Sequence, residues 1–300
     1  MSKNNKKVLI CGAGAIGVFL GTLLHAFGHD VKLFGRRKLK SVDNNIIIDG
    51  KVYAVPEKTF KIPKNEKFDF IFVTTKLYDF NKMLNLIKKH KIKCSAISAI
   101  QNGLVDTSKY PKIDGKNILP VTVFSGFNLS EGKLDTSPTK VGWIVQSSPD
   151  GKQISSFLFE SGIPCKTSEK FDSLRTEKSL VNGCLNGLSA IENKPFSYLL
   201  TNKETLERVR RLFEESYNIL KTEHELESSN KLWKNMIKNW SKLNHYSSTC
   251  QDIKSGRKDE IKFFNGYLVE LGKKHKLSTL ENQKIMKEIR ALRNSKAFKH

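Results

Sequence analysis

The sequence is short of acid, short of arginine and without paired cysteines. Against 30 Asp+Glu it sets 52 Lys+Arg, a formal net charge of +22, yet only 9 of the basic residues are Arg. Arginine is the side chain suited to bidentate phosphate and base contacts, so its scarcity argues against a dedicated nucleic-acid surface. The lysines are spread from Lys3 to Lys299 in runs no longer than two, as at Lys88-Lys89 and Lys273-Lys274. There is no zinc-finger spacing and no basic low-complexity tail. The surplus reads as a lysine-rich solvated surface that adheres to polyanions at low salt, with no specific nucleic-acid partner. The five cysteines, Cys11, Cys94, Cys165, Cys184 and Cys250, are odd in number, far apart and without a CxxC pair. That excludes a disulfide framework or a structural zinc site and fits a reducing compartment; no metal is expected. With 8 Pro and 19 Gly the chain is neither collagen-like nor low-complexity, and 18 Phe exclude disorder.

Charge is also missing locally. From Val8 to His29 there is no Lys, Arg, Asp or Glu, and Lys6-Lys7 stand just before it, the outline of a signal peptide or membrane span. Gly12, Gly14, Gly17, Gly21 and Gly28 interrupt it, and another reading accounts for it better, so a soluble, cytoplasmic chain with no membrane partner is expected. Val8-Leu9-Ile10-Cys11 reads as a buried parallel strand, Gly12-Ala13-Gly14-Ala15-Ile16-Gly17 follows, Val18 to Phe27 reads as a helix closed by Gly28, and Val31 to Phe34 as a second strand. Strand, glycine turn, helix and strand within about 30 residues are the setting of a dinucleotide fingerprint. Gly12 permits the tight turn, Gly14 lets the backbone approach a pyrophosphate and Gly17 lets helix and strand pack closely. The phosphates then face the unpaired N–H groups of the helix N-terminus.

The end of the second strand selects the cofactor. A site for NAD usually carries a carboxylate there; here the chain runs into Gly35-Arg36-Arg37. Two guanidinium groups suit a 2′-phosphate and favour NADP(H); the alternative is a pair of solvated surface arginines. Phe68 to Thr75 reads as another buried strand ending at Lys76, and Cys94 to Ile100 as a further one ending in Gln101-Asn102-Gly103. Polar residues after both strands read as site residues, although Asn102-Gly103 is also good turn chemistry. From about 117 to 145, short strands and turns read as sheet edge.

Beyond about Lys166 glycine thins and helical stretches appear, near 172–192, 203–226, 228–243 and 256–275. The boundary near Thr167–Asp172 sets a cofactor-binding domain over 1–168 and a helical substrate domain over 169–300, with a ligand crevice expected between them. Lys178, Asn182 and Asn186 are spaced i, i+4, i+8. At about 100° per residue they drift about 80° and form one polar stripe, flanked by Leu180, Val181, Cys184, Leu185 and Leu188. Polar groups in such surroundings must find partners or cost a few kcal/mol, which favours a site over a solvated face. A second group is His245-Tyr246-Ser247-Ser248-Thr249-Cys250-Gln251-Asp252, followed by Arg257, Glu260, Asn265 and Gly266. The serines could cap a helix, Asp252 could cap or pair with a base, and Glu260 could be a first-turn glutamate of the following helix.

Together these residues resemble the ketopantoate reductases (2-dehydropantoate 2-reductases). The matching pieces are Gly12-Ala-Gly14-Ala-Ile-Gly17, Thr75-Lys76, Asn102-Gly103, Lys178-x-x-x-Asn182-x-x-x-Asn186, and Ser247-Ser248-x-x-Gln251-Asp252 followed by Arg257-x-x-Glu260-Ile261 and Asn265-Gly266. They occur in the family's order over nearly the whole chain, and the C-terminal motifs are the specific ones. The resemblance implies an α/β plus α fold: a Rossmann-type parallel-sheet domain followed by an all-helical domain. It implies reduction of 2-dehydropantoate by NADPH to (R)-pantoate, in pantothenate and coenzyme A biosynthesis. It makes Lys178 the general acid, with Glu260 orienting it and engaging the substrate hydroxyl. Ser248 would bind the substrate carboxylate, and Asn102, Asn182 and Asn186 would hold the carbonyl. Gly12 to Gly17, Arg36, Arg37, Lys76 and Asn102 would serve the cofactor. A reductase of another 2-oxo acid and a non-catalytic NADPH-binding regulator stay open as alternatives, as do monomer and homodimer.

Overall fold

The computed structural model describes residues 5–35, 45–137 and 141–295. The chain divides into two units. One runs to Asn102 and resumes over Asp106–Phe171; the other joins Gly103–Val105 to the chain from Asp172 onward.

In the first unit, apolar runs form β1 (Lys7–Cys11), β2 (Asp30–Phe34), β3 (Asn45–Ile48), β4 (Lys51–Ala54), β5 (Glu57–Thr59), β6 (Lys67–Val73), β7 (Lys93–Ile100), β8 (Ile118–Val123), β9 (Gly126–Ser130), β10 (Lys133–Ser137), β11 (Trp143–Gln146) and β12 (Cys165–Ser168). Helices α1 (Ala15–Ala26), α2 (Leu77–Lys89) and α3 (Pro149–Glu160) lie among them. An eight-stranded sheet has the order β12-β11-β8-β7-β6-β1-β2-β5. From β8 to β5 all neighbours are parallel, which is the Rossmann-type sheet that the N-terminal motif implies.

Beyond β8 the sheet becomes mixed, because β11 runs antiparallel to β8 and carries β12 parallel to itself. One sequence expectation needs correction. The 117–145 region is not simply sheet edge: β8 and β11 are interior strands of the large sheet, while β9 and β10 join β3 and β4 in a separate four-stranded sheet. The pairing of Lys133 with Ile47 that makes this second sheet is distant in sequence, so local pattern could not reveal it.

The central strand shows why its sequence is apolar without alternation. Val8 and Ile10 pack with Val18, Leu24 and Phe157, while Leu9 and Cys11 pack with Phe80, Met83 and Ile87. Helices cover both faces of the strand, so both faces are apolar. This accounts for the uncharged N-terminal segment; among the described residues no helix is long and apolar enough to cross a membrane.

The second unit is built from α4 (Phe171–Glu192), α5 (Phe196–Thr201), α6 (Lys203–Leu220), α7 (Ser229–Trp240), α8 (Ser248–Lys254), α9 (Asn265–Lys274) and α10 (Leu280–Asn294), with a 3-10 turn at Ile261–Phe263. Leu180, Cys184, Leu185 and Leu188 of α4 pack with Val209, Phe213, Leu268 and Ile285 in its core. The expected helix over 256–275 is shorter than its pattern suggests. Gly256, at φ +63, ends α8, and the Arg257 N–H returns to the Asp252 carbonyl at 2.7 Å, a left-handed helix stop. Asp259 then accepts the Ile261 N–H at 2.9 Å and pairs with Arg293. Glu260 therefore lies in a loop ahead of the 3-10 turn, not in the first turn of a long helix.

The glycine turn between β1 and α1 is held by close backbone approach. Gly12, at φ +129, donates to the Phe34 carbonyl at 2.9 Å and accepts from Thr74 Oγ1 at 2.8 Å. A Cβ on Gly17 would lie 1.8 Å from the Gly12 oxygen, whereas a Cβ on Gly14 would meet nothing within 4 Å. Gly17→Ala should therefore lower stability by roughly 1–3 kcal/mol, while Gly14→Ala should change it by less than about 0.5 kcal/mol. Urea unfolding of both variants checks the contrast.

Candidate functional site

The turn has the properties of an anion cradle. Helix α1 starts at Gly14 with no side-chain cap and no acidic residue in its first turn, so its leading N–H groups are left for an external acceptor. Beside it, a Cβ on Gly12 would come within 2.8 Å of the Thr75 nitrogen, which puts the end of β6 against the turn. Gln101, after β7, donates to the Thr75 carbonyl at 2.8 Å. Thr75 Oγ1 and Gln101 Oε1 are buried without a partner among the described residues. Open space over Gly14, unspent N–H groups and two orphaned oxygens fit a bound dinucleotide. Lys76 stands at the N-cap position of α2 without a side-chain cap and, like Asn102, is half-buried at a strand exit. Arg36 and Arg37 lie outside the described residues.

The polar stripe of the second unit is carried by α4. Lys178 is half-buried, and burial pushes its ammonium down to about 7, because low-dielectric surroundings disfavour the charged form. One and two turns on, Asn182 and Asn186 are 8% and 4% exposed, and the Asn186 backbone carbonyl accepts the Ser247 hydroxyl at 2.9 Å. Amides carry both donors and an acceptor, so this pair beside the lysine suits a ligand's oxygen or hydroxyl.

A neighbouring stripe of α4 has no side chains. A Cβ on Gly187 would stand 2.3 Å from Ile285 Cγ2 and 3.3 Å from Ile261 Cδ1, and one on Gly183 would stand 3.1 Å from Leu268 Cδ1. The bare surface lets the segment carrying Ile261 pack directly on α4, and that segment carries the buried Glu260. The serine pair divides its work. Ser247 caps α8, accepting the Cys250 N–H at 3.0 Å, and its hydroxyl donates to the Asn186 carbonyl at 2.9 Å. Ser248, the first residue of α8, is half-buried and free of the capping role. Asp252 pairs with Arg257 at 3.0 Å.

Two residues escaped the sequence reading. Thr74 ties the strand end to the glycine turn. Arg175, three residues before Lys178, donates to the Val105 carbonyl at 3.1 Å and to that of Gly103 at 3.4 Å, fixing the chain that follows Asn102. An arginine at i−3 from the lysine was the available signal. Among the described residues no group of His, Cys, Asp and Glu could hold a metal ion.

A Rossmann-type domain with an open glycine turn, followed by a helical domain with a desolvated lysine, defines a class of two-domain oxidoreductases. The family model described as "Ketopantoate reductase PanE/ApbA" matches residues 8–144, and "Ketopantoate reductase PanE/ApbA C terminal" matches residues 170–293. The chain belongs to the ketopantoate reductase family. It is 29% identical to the 2-dehydropantoate 2-reductase of Aquifex aeolicus, across 95% of this chain and 96% of that one. A PanE/ApbA family ketopantoate reductase from Ralstonia eutropha JMP134 has the same fold, with a TM-score of 0.83 at 20% identity over 96% of this chain and 98% of that one. D-mandelate dehydrogenase, solved with NADH and anilino(oxo)acetate, is similar in fold at TM-score 0.82 and 21% identity, again over 96% and 98%.

The lysine has a consequence for stability. Its folded pKa lies below its unfolded value, so between about pH 7 and pH 10 the unfolded chain holds the extra proton and stability rises with pH. Relative to Lys178→Met, wild type should gain on the order of a few kcal/mol across that window. Paired unfolding curves from pH 6 to pH 10 measure the difference; a constant gap would mean that the ammonium is solvated.

Proposed function

We propose that the protein reduces the C2 carbonyl of 2-dehydropantoate to give (R)-pantoate, with NADPH as reductant and Lys178 as general acid, a step of pantothenate and coenzyme A biosynthesis. The observation that carries this reading is the desolvated Lys178 in line with two buried asparagines, Asn182 and Asn186, on one helix. Membership of the ketopantoate reductase family supports the substrate.

The residues of the glycine turn, Gly12 through Gly17, would hold the pyrophosphate, with Lys76 and Asn102 near the reacting end and Arg36 and Arg37 on the 2′-phosphate. Bound there, the dihydronicotinamide supplies the hydride. The chain's own part is to hold the acceptor and provide a proton. Ser248 binds the substrate carboxylate, and Asn102, Asn182 and Asn186 hydrogen-bond the carbonyl and its neighbour, fixing one face for attack. The Lys178 ammonium hydrogen-bonds the C2 oxygen and stabilises negative charge as it develops there. It then gives up a proton to that oxygen and is left as a neutral amine, the form its buried setting favours. Glu260 accepts a hydrogen bond from the lysine, orients it and engages the substrate hydroxyl. A 2-oxo acid without the branched hydroxyl end could use the same acid and anchor, and a substrate panel separates that case.

NADPH oxidation with 2-dehydropantoate, pyruvate and 2-oxoisovalerate should show preference for the first. Lys178→Ala should lower kcat by about 10²–10⁴-fold with NADPH affinity within about twofold of wild type; equal turnover removes Lys178 as the acid. Arg36→Ala and Arg37→Ala should weaken NADPH by about tenfold or more while leaving NADH little changed, the loss of one charge-assisted phosphate contact each. Titration with both nucleotides measures this, and equal losses exclude 2′-phosphate recognition.

A further inference from the structure

A buried chain of amides ends on the helix that carries the lysine. Asn265 opens α9 and is fully buried. Its amide nitrogen donates to the Gly183 carbonyl of α4 at 2.9 Å and to Asn282 Oδ1 of α10 at 2.8 Å. Asn282, also fully buried, donates to Glu215 Oε1 of α6 at 2.8 Å and to Ser216 Oγ at 3.2 Å. The Glu215 carboxylate in turn accepts the backbone N–H groups of Asn282 at 2.9 Å and Glu281 at 3.0 Å, at the start of α10. Four helices are thus joined through side chains that no apolar packing could orient so specifically.

The network carries a cost. Asn265 Oδ1 is buried without a partner among the described residues, which is unfavourable because the oxygen has left water without gaining a donor. A leucine-sized apolar residue would avoid that cost. What an apolar residue could not supply is the bond to Gly183. That carbonyl lies directly after Asn182, and Asn265 lies five residues after Glu260. The bond therefore joins the segment bearing the carboxylate to the helix bearing the lysine and both amides. It does so where Gly183 and Gly187 leave the helix surface bare and packing alone offers few side chains to fix the register.

We propose that Asn265, held in place by Asn282 and Glu215, is a positioning residue that sets the Glu260 segment against the Lys178–Asn182–Asn186 stripe. It touches neither substrate nor cofactor and acts through the Gly183 carbonyl. This rests on the role given to Lys178 above, and its test includes a readout that needs no turnover.

The test is Asn265→Ala, confirmed as folded by circular dichroism. The first readout is the reactivity of Lys178 toward acetic anhydride as a function of pH, followed by mass spectrometry. Loosening the segment admits water to the ammonium, so the midpoint should move from about 7 upward by about one unit, towards the ordinary lysine range. The second readout is kinetic: kcat should fall by about 10- to 100-fold, as expected for misaligned reacting groups, while NADPH affinity stays within about twofold. A merely structural asparagine would lower the melting temperature and leave the labelling midpoint and kcat where they were; that result overturns the proposal. If Asn265→Ala does not fold, Asn282→Ser, which keeps the Asn265–Gly183 bond but removes the Asn282 amide's bonds to Asn265, Glu215 and Ser216, should shift the midpoint in the same direction by less; no shift there overturns it equally. Absence of turnover by wild type on every 2-oxo acid would sink the reductase reading, while the labelling curve would still decide whether Asn265 positions Lys178.

Discussion

The interaction on which the rest of the second unit depends is the partial removal of the Lys178 ammonium from water. A lysine exposed on a helix is strongly hydrated, holds its proton far above neutrality and does little. Moved into low-dielectric surroundings, it becomes a group that exists in both protonation states near pH 7. That burial is unfavourable in itself and must be offset by the packing around it. The apolar side of α4, with Leu180, Cys184, Leu185 and Leu188 against Val209, Phe213 and Ile285, supplies a favourable term of the required kind. A long helix is the natural support, because one rigid element can carry the lysine, two amides and the surface that packs the core.

The first unit solves a different problem by similar means. There the requirement is a backbone close enough to a ligand for N–H groups to act as the binding surface, and side chains have to be missing for that to happen. Gly12 is crowded by Thr74 and Thr75 and Gly17 by the Gly12 oxygen and Thr74, while Gly14 faces open space. Two glycines are needed by the protein itself, and the third is available to a ligand. In α4 the same device appears again at Gly183 and Gly187, where bare helix surface admits Ile261, Ile285 and Leu268. In both units the positions without side chains determine which functional groups come together.

Much of this was legible in the sequence, for identifiable reasons. The glycine turn was readable because strand, turn and helix are contiguous, and the α4 stripe because helical periodicity puts Lys178, Asn182 and Asn186 on one face. The second sheet was not readable, since strands as short as Asn45–Ile48 acquire their partners only through distant pairing. Helix α10 escaped because its buried face includes Asn282 beside Ile285 and Ile289, and a buried asparagine breaks the apolar rhythm. Glu260 is recognisable in the sequence as a residue of interest, but its setting is not: the left-handed Gly256 and the paired Asp259 convert an apparent helix start into a loop. The partnership of Asn265, Asn282 and Glu215 spans three helices and leaves no trace in local spacing.

The central claim is that a desolvated Lys178 supplies the proton during reduction. Single-turnover oxidation of bound NADPH by 2-dehydropantoate, followed from pH 5.5 to pH 9.5, tests it most directly. An acid must be protonated to act, so the rate should be level at low pH and fall tenfold per pH unit above about 7, along one ionisation. Lys178→Ala should lack that limb. A wild-type rate that stays level to pH 9.5, or a limb that persists without Lys178, would contradict the account.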